Sequence, residues 1–178
     1  MNLKKIEAIL FDIDGVLTDG RIYYDETGNE WKTFHVRDGL MIKRMGKMGY
    51  RFGAITGRSS HLVERRMKEL EVEFLMQKCM DKKSALMKFA SDYDVAFEKI
   101  AFVGDDVIDL PAMALAGLAA CPADADAEVK KRSDLILEQS GGRGALRELG
   151  ERILKAQGQW NEFMHQYEPV QENKKNKA

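Results

Sequence analysis

Short apolar runs alternate along the chain with longer amphipathic stretches. The run Ala8–Phe11 is apolar at every position, which is typical of a strand buried on both faces. The stretch 59–72 instead carries Leu62, Val63, Met67 and Leu70 at helical spacing. Strands that alternate with helices of this length predict a parallel sheet covered by helices on both faces.

The same pattern and its flanking residues predict the remaining elements. Asp38 and Asp81 are candidate N-caps, Gly49 is a candidate helix stop, and Pro111 lies in the first turn of a helix. The other predicted strands are 52–56, 73–77, 99–106, 118–121 and 134–138, and the other predicted helices are 37–50, 81–93, 125–132 and 144–158. We therefore expect an α/β fold, a Rossmann-like three-layer sandwich with a central parallel sheet, in one domain over residues 1–158.

Residues 21–36 break this alternation. Two β-rich arms, Ile22–Tyr24 and Trp31–Val36, flank a turn at residues 27–29, which predicts a protruding β-hairpin. Its aromatic residues are Tyr23, Tyr24, Trp31 and Phe34. Either these rings cover a neighbouring subunit or they fold back on their own domain. At the other end of the chain, residues 159–178 form a polar tail that we expect to fray.

Charge and composition exclude several classes of protein. Lys and Arg total 28 against 29 Asp and Glu, so the electrostatic footprint of a general nucleic-acid binder is missing. No apolar run approaches the length of a membrane span, and the first residues lack a signal-peptide pattern, so we expect no membrane partner and a cytoplasmic location. Cys79 and Cys121 lack metal-ligand spacing and are expected to be plain thiols.

Polar side chains follow three of the predicted strands. Asp12 and Asp14 come after the first, the segment 56–58 (Thr-Gly-Arg) after the next, and Asp105-Asp106 after a later one. In open α/β sheets, ligands bind outside the carboxyl ends of the strands, where these groups would meet. Clustered carboxylates repel one another unless a proton or a hard cation is present, and Mg²⁺ suits such oxygen ligands beside a phosphate.

Four stretches together resemble the motifs of the haloacid dehalogenase superfamily: "DIDGVLTDG", "ITGR", "MDKKSAL" and "GDDVIDLP". The resemblance implies a HAD-like core in which Asp12 is a nucleophile that forms an aspartyl-phosphate and Asp14 is the general acid and base. It implies phosphate binding by Thr56, Gly57 and Lys82, with the neighbouring Lys83 solvated. The implied Mg²⁺ ligands are Asp12, Asp14 through its backbone carbonyl, Asp105 and Asp106, with Asp106 expected closer than Asp109. Asp19 is expected to be only a turn residue.

Too few residues lie between these motifs for a cap domain. Capless members commonly close their sites by oligomerising. The strings "FHVRDGLMIK", "ITGRSSHLVERR" and "GGRGALRE" are similar to those of the 3-deoxy-D-manno-octulosonate 8-phosphate phosphatases. That resemblance implies a Mg²⁺-dependent homotetramer of lipopolysaccharide sugar synthesis, in which the hairpins form a central barrel and the tail reaches a neighbour's active site.

Two alternatives stay open at this stage. One is a related phosphatase for nine-carbon 2-keto-3-deoxy sugar 9-phosphates; Arg58 and Glu69 favour the eight-carbon substrate. The other is a non-catalytic oligomerisation module related to domains of sugar nucleotidyltransferases, although this chain retains the motif residues. Arg58, Arg66 and Arg143 are candidates for the substrate's phosphate or carboxylate, because guanidinium groups pair well with both. Arg66 could equally be a solvated helix residue.

Overall fold

A six-stranded parallel sheet lies at the centre of the computed structural model, which describes residues 3–167. The strands in chain order are β1 (Ala8–Phe11), β2 (Tyr23–Tyr24), β3 (Glu30–Trp31), β4 (Arg51–Ile55), β5 (Phe74–Met76), β6 (Ile100–Val103), β7 (Leu118–Cys121) and β8 (Leu135–Ile136). The sheet order is β5-β4-β1-β6-β7-β8, while β2 and β3 pair separately and antiparallel. Because β1 has a neighbour on each side, its carboxyl end opens at the middle of the sheet.

Helices cover both faces of this sheet. They are α1 (Val36–Lys47), α2 (His61–Glu69), α3 (Lys82–Tyr93), α4 (Leu110–Met113), α5 (Ala127–Arg132), α6 (Ala145–Ala156) and α7 (Trp160–His165). Alternate residues of β1 enter opposite cores: Ile9 packs with α1, α2 and α6, and Leu10 packs with α3, α4 and α5. The predicted three-layer sandwich is confirmed.

The beginning of α1 differs from the prediction. His35 occupies the N-cap position, and Asp38 lies inside the first turn, where it is fully buried. Its carboxylate accepts a hydrogen bond of 2.7 Å from the backbone N–H of Arg147, in the first turn of α6. Burial raises the pKa of Asp38, although this hydrogen bond opposes the rise. Asp38 therefore connects α1 to the positive, N-terminal end of α6. The predicted cap was wrong because the local sequence pattern does not reveal a partner in a distant segment.

The predicted hairpin is present but its strands are short. The turn is closed by Asp25, whose carboxylate accepts hydrogen bonds of 2.9 Å from the backbone N–H groups of Thr27 and Asn29. Tyr24 and Trp31 are more than 60% exposed. Between β1 and α1 the chain adds a short helical turn and this hairpin, and between β4 and α3 it adds α2 and β5, so neither segment contains a cap domain.

The segment after α6 is ordered by aromatic packing. Phe163 of α7 is 1% exposed and stacks on Trp160, with ring centroids 5.1 Å apart, while the guanidinium of Arg147 lies 5.2 Å from the Phe163 ring. The expectation of a frayed tail is therefore wrong for residues 160–165; residues 168–178 lie outside the described part of the chain. Within residues 3–167, the helices are too short or too polar to cross a membrane.

Candidate active site

Asp12 and Asp14 lie where β1 ends and the chain turns sharply. The Asp12 carboxylate accepts a hydrogen bond of 2.7 Å from the backbone N–H of Ile13, and a helical turn over residues 13–17 follows. Gly15 has a φ of +98°, and a Cβ atom there would lie 1.9 Å from a carboxylate oxygen of Asp105. Glycine at this position therefore allows Asp105, which follows β6, to approach the loop after β1.

Three carboxyl groups and one ammonium group form the centre of the site, in which Asp12, Asp109 and Lys82 are buried and Asp105 is partly buried. Oxygen atoms of Asp12, Asp105 and Asp109 lie within 4.8 Å of one another. The Lys82 Nζ atom is 3.0 Å from Asp12 and 2.6 Å from Asp109. Asp105 Oδ1 is buried and makes no hydrogen bond within the described residues. A single ammonium thus faces three carboxyl groups, one of which has an unused buried oxygen.

The pKa values reflect this crowding. Burial, followed by the charge of Asp109, raises the pKa of Asp12 to about 7, and burial with the charges of Asp12 and Asp109 raises that of Asp105 to about 8. Burial alone disfavours the Lys82 ammonium, but Asp12 and Asp109 outweigh it and raise the pKa of Lys82. A hard divalent cation relieves such repulsion, so the unused Asp105 oxygen and the crowded carboxyl groups fit a Mg²⁺ ion.

Asp109, rather than Asp106, belongs to this centre. Asp109 is fully buried, and its second carboxylate oxygen accepts the backbone N–H groups of Asp105 and Asp106 at 3.0 and 3.2 Å. Asp106 is exposed, and its carboxylate accepts the N–H of Val107 at 2.7 Å. The expectation that Asp106 lies closer is therefore wrong. The short helical turn covers only Val107–Asp109, and the spacing of the acids in the sequence does not show which of them folds beneath it.

Charged side chains of the hairpin lie beside Asp14 and the turn after β4. Asp14 Oδ2 lies 3.4 Å from the hydroxyl of Thr56, and Asp14 Oδ1 forms an ion pair with Lys32 of the hairpin. Arg58, separated from Thr56 by Gly57 in the turn after β4, pairs with Glu30 at 2.8 Å. The hairpin residues Glu30 and Lys32 were not predicted as site residues. Their alternation with the exposed Trp31 was the available signal, because alternate residues of a strand face the same side.

The three candidate arginines have different surroundings. Arg58 reaches the hairpin, whereas the Arg66 guanidinium pairs with Glu69 at 3.3 Å and lies 5.7 Å from the Phe34 ring. Arg143 is exposed and lines a cavity of about 700 Å³. None of these described contacts joins Arg66 or Arg143 to the buried acids.

The glycine-rich loop before α6 packs directly on the turn after β1. A Cβ atom at Gly141 would lie 1.9 Å from the backbone oxygen of Gly15, and the N–H of Gly142 donates to Val16 at 2.9 Å. This contact brings the segment that carries Arg143 next to the loop of Asp12 and Asp14. Asp19, in the same loop region, accepts hydrogen bonds from Arg21 N–H and the Tyr23 hydroxyl, as expected of a turn residue.

Comparison with known proteins adds an independent line of evidence. A sequence profile of the haloacid dehalogenase-like hydrolases matches residues 72–149. The 3-deoxy-D-manno-octulosonate 8-phosphate phosphatase KdsC of Haemophilus influenzae is 38% identical over 161 residues, which cover 90% of this chain and 89% of that protein. The enzyme of the same name from Escherichia coli K12 is 39% identical over 89% of this chain and 85% of its own length.

Solved structures agree with these sequence matches. The 3-deoxy-D-manno-octulosonate 8-phosphate phosphatase of Moraxella catarrhalis, in complex with a magnesium ion, a phosphate ion and a KDO molecule, superimposes with a TM-score of 0.91 at 36% identity, covering 94% of this chain and 96% of that one. The cobalt-bound Haemophilus influenzae phosphatase gives a TM-score of 0.87 at 38% identity, covering 90% and 94%. The likeness thus extends over nine-tenths or more of the chain in both structures.

Proposed function

Since the chain belongs to the 3-deoxy-D-manno-octulosonate 8-phosphate phosphatases of the haloacid dehalogenase-like hydrolases, we propose that it releases phosphate from 3-deoxy-D-manno-octulosonate 8-phosphate with Mg²⁺ as cofactor. The observation that carries the proposal is the buried group of Asp12, Asp105 and Lys82 at the carboxyl end of the sheet. A non-catalytic module would have no need to bury these charges together, since burial of like charges destabilises a fold.

The reaction proceeds in two steps on the chain's own carboxylates. Asp12 attacks phosphorus, so that a bond from its carboxylate oxygen forms as the bond to the sugar oxygen breaks, and Asp14 gives a proton to that sugar oxygen. Asp14 then takes a proton from a water molecule that attacks the aspartyl-phosphate, which frees phosphate and restores Asp12. The Lys82 ammonium and the Thr56 hydroxyl hold the oxygens of the transferring phosphoryl group, assisted by the Gly57 turn.

Bound Mg²⁺, held by the carboxylates of Asp12 and Asp105 and the backbone carbonyl of Asp14, would neutralise charge on the transferring phosphoryl group. Asp109 has a different role. Its carboxylate oxygen lies 2.6 Å from Lys82 Nζ and keeps this ammonium in place beside Asp12. The Asp106 carboxylate caps its own turn by accepting the Val107 N–H, so it is not proposed as a metal ligand.

The rest of the substrate needs positive groups and a cover. Arg58, Arg66 and Arg143 remain candidates for its carboxylate, because guanidinium groups bind carboxylates in a bidentate way.

We also propose that the protein is a homotetramer in which neighbouring subunits close the active sites. The exposed Tyr24 and Trp31 of the hairpin support this, because an isolated ribbon would not expose so much aromatic surface to water. Sedimentation of the intact protein should then give four times the chain mass of 20.2 kDa. The cytoplasmic location stays a prediction.

The function is tested by phosphate release from the eight- and nine-carbon 2-keto-3-deoxy sugar phosphates in the presence of Mg²⁺. We expect the larger kcat/KM for the eight-carbon compound, with no release by the Asp12→Asn variant prepared in the same way, which controls for contaminating phosphatases. A preference for the nine-carbon compound would refute the substrate assignment. If the protein released phosphate from neither compound, the enzyme assignment would be wrong.

Magnesium should stabilise the protein more strongly at pH 8 than at pH 6. In the folded, metal-free chain the pKa of Asp12 rises from 3.8 to about 7 and that of Asp105 from 3.8 to about 8. The stability that these protonated groups contribute is therefore complete below pH 4 and is lost as the pH rises to 8. Mg²⁺ needs the ionised carboxylates, so its binding strengthens over the same range.

Thermal unfolding with and without Mg²⁺ at the two pH values measures this effect. The Mg²⁺-induced rise in Tm should be larger at pH 8 and should shrink in Asp105→Asn. The exposed Asp92→Asn change is the matched control and should leave the rise intact. An equal or smaller rise at pH 8 than at pH 6 would contradict the assignment of these two carboxyl groups to the metal.

A further inference from the structure

The two sides of the hairpin differ in exposure and in charge. Trp31 is 62% exposed, whereas the side chain of Lys32 is only 1% exposed and Glu30 is 19% exposed. Lys32 ends in an ion pair with Asp14, the group assigned above to proton transfer. The outward side of the ribbon thus carries an aromatic ring and the inward side carries charges directed into the active site.

The burial of Lys32 requires compensation. Lysine is almost never fully buried without a partner, because removing an ammonium from water is unfavourable by several kcal/mol. Asp14 supplies the nearest carboxylate, and Glu30 lies 3.7 Å from the same ammonium while pairing with Arg58 at 2.8 Å. The four charges alternate in sign and sum to zero. The hairpin is therefore joined to the catalytic loop by a balanced set of ion pairs.

We propose that Lys32 is a positioning residue that aims Asp14 at the leaving group. This inference rests on the proposed phosphatase function. An ammonium group can only donate hydrogen bonds, so Lys32 holds Asp14 Oδ1 as its acceptor. This contact leaves Oδ2 to exchange the proton with the leaving group, and Oδ2 is the oxygen 3.4 Å from the Thr56 hydroxyl, on the side where phosphate is proposed to bind.

The bond between phosphorus and the sugar oxygen breaks with its electron pair left on that oxygen, which receives the proton from Asp14 Oδ2. The Asp12 oxygen forms the new bond to phosphorus. Asp14 remains as a carboxylate, still paired with Lys32 through Oδ1 and oriented to accept a proton from water in the second step.

Leaving groups of different basicity distinguish this role from others. An alkoxide is a strong base and needs the proton of Asp14 as it departs, whereas nitrophenolate and acetate leave without one. Loss of the positioning residue should therefore impair alkyl phosphates and spare activated ones. Because kcat/KM reports only steps through aspartyl-phosphate formation, the later hydrolysis does not obscure the comparison.

The experiment compares Lys32→Met with the wild-type protein on three kinds of substrate: the octulosonate 8-phosphate, n-propyl phosphate, and the activated p-nitrophenyl and acetyl phosphates. We expect kcat/KM to fall about 10²-fold for the sugar and propyl phosphates, the lower end for loss of general acid catalysis, and about 3-fold or less for the activated ones. Lys32→Arg should recover most of the loss. Lys88→Met removes a surface lysine of α3 and serves as the matched control.

Three other patterns would overturn the proposal. A parallel fall on all substrates would indicate a merely structural role, a fall on the sugar phosphate alone would make Lys32 a substrate contact, and no fall would remove it from the reaction. A wild-type protein that hydrolyses propyl and activated phosphates but not the octulosonate phosphate would refute the substrate assignment while leaving the Lys32 comparison valid.

Discussion

Replacing Asp12 by asparagine should reduce kcat about 10⁴-fold or more, the scale seen when a catalytic nucleophile is removed, because the amide cannot form the aspartyl-phosphate. The fold should survive. Asparagine has the same shape and can still accept the Ile13 N–H, and it removes one of three crowded negative charges. Because burial raises the pKa of Asp12 to about 7, Asp12 is ionised at pH 8 in a place that disfavours its charge, so the metal-free variant should match or exceed the wild-type Tm at pH 8.

The measurement is steady-state phosphate release together with thermal unfolding at pH 8. Asp92→Asn, on the exposed face of α3, removes the same charge and should keep full activity. A variant Asp12→Asn that retains a tenth of the wild-type kcat after exclusion of deamidation would rule Asp12 out as the nucleophile.

Replacing Lys82 by methionine should impair both stability and catalysis. Its ammonium lies between Asp12 and Asp109, and its loss leaves these carboxylates buried without their cation. Breaking a buried ion pair in this way lowers the free energy of unfolding by about 3–5 kcal/mol. The phosphoryl group also loses a donor, which should reduce kcat/KM by about 10²–10³-fold.

The neighbouring lysine offers a sharp control for that change. Lys83 is exposed at the start of α3, one residue from Lys82, and Lys83→Met removes the same charge from the same helix turn. We expect its Tm and kcat/KM to stay close to wild type. Equal effects of the two changes, by denaturant unfolding and phosphate release, would show that local positive charge rather than the buried position of Lys82 is what matters.

Several features of the site depend on segments far apart in sequence. Asp106 and Asp109 could not be ranked from spacing alone, because the outcome depends on whether each side chain caps the turn or folds beneath it. Lys32 was not predicted as a site residue, because it meets Asp14 only when the hairpin folds beside the loop after β1. Asp38 looked like a helix cap because aspartate favours that position, yet its partner is a helix more than one hundred residues away.

Apolar periodicity along the chain was sufficient to predict the alternation of strands and helices, because it encodes burial. The parallel sheet that gathers Asp12, Thr56 and Asp105 at one edge follows from it, since parallel strands share a carboxyl end. Its motifs also indicated Lys82 and the family. Three contacts became visible only in the folded chain: Asp109 holds Lys82, Lys32 meets Asp14, and α7 packs on α6. Periodicity shows which face of an element is buried, whereas side-chain partners depend on the relative placement of elements that come together only on folding.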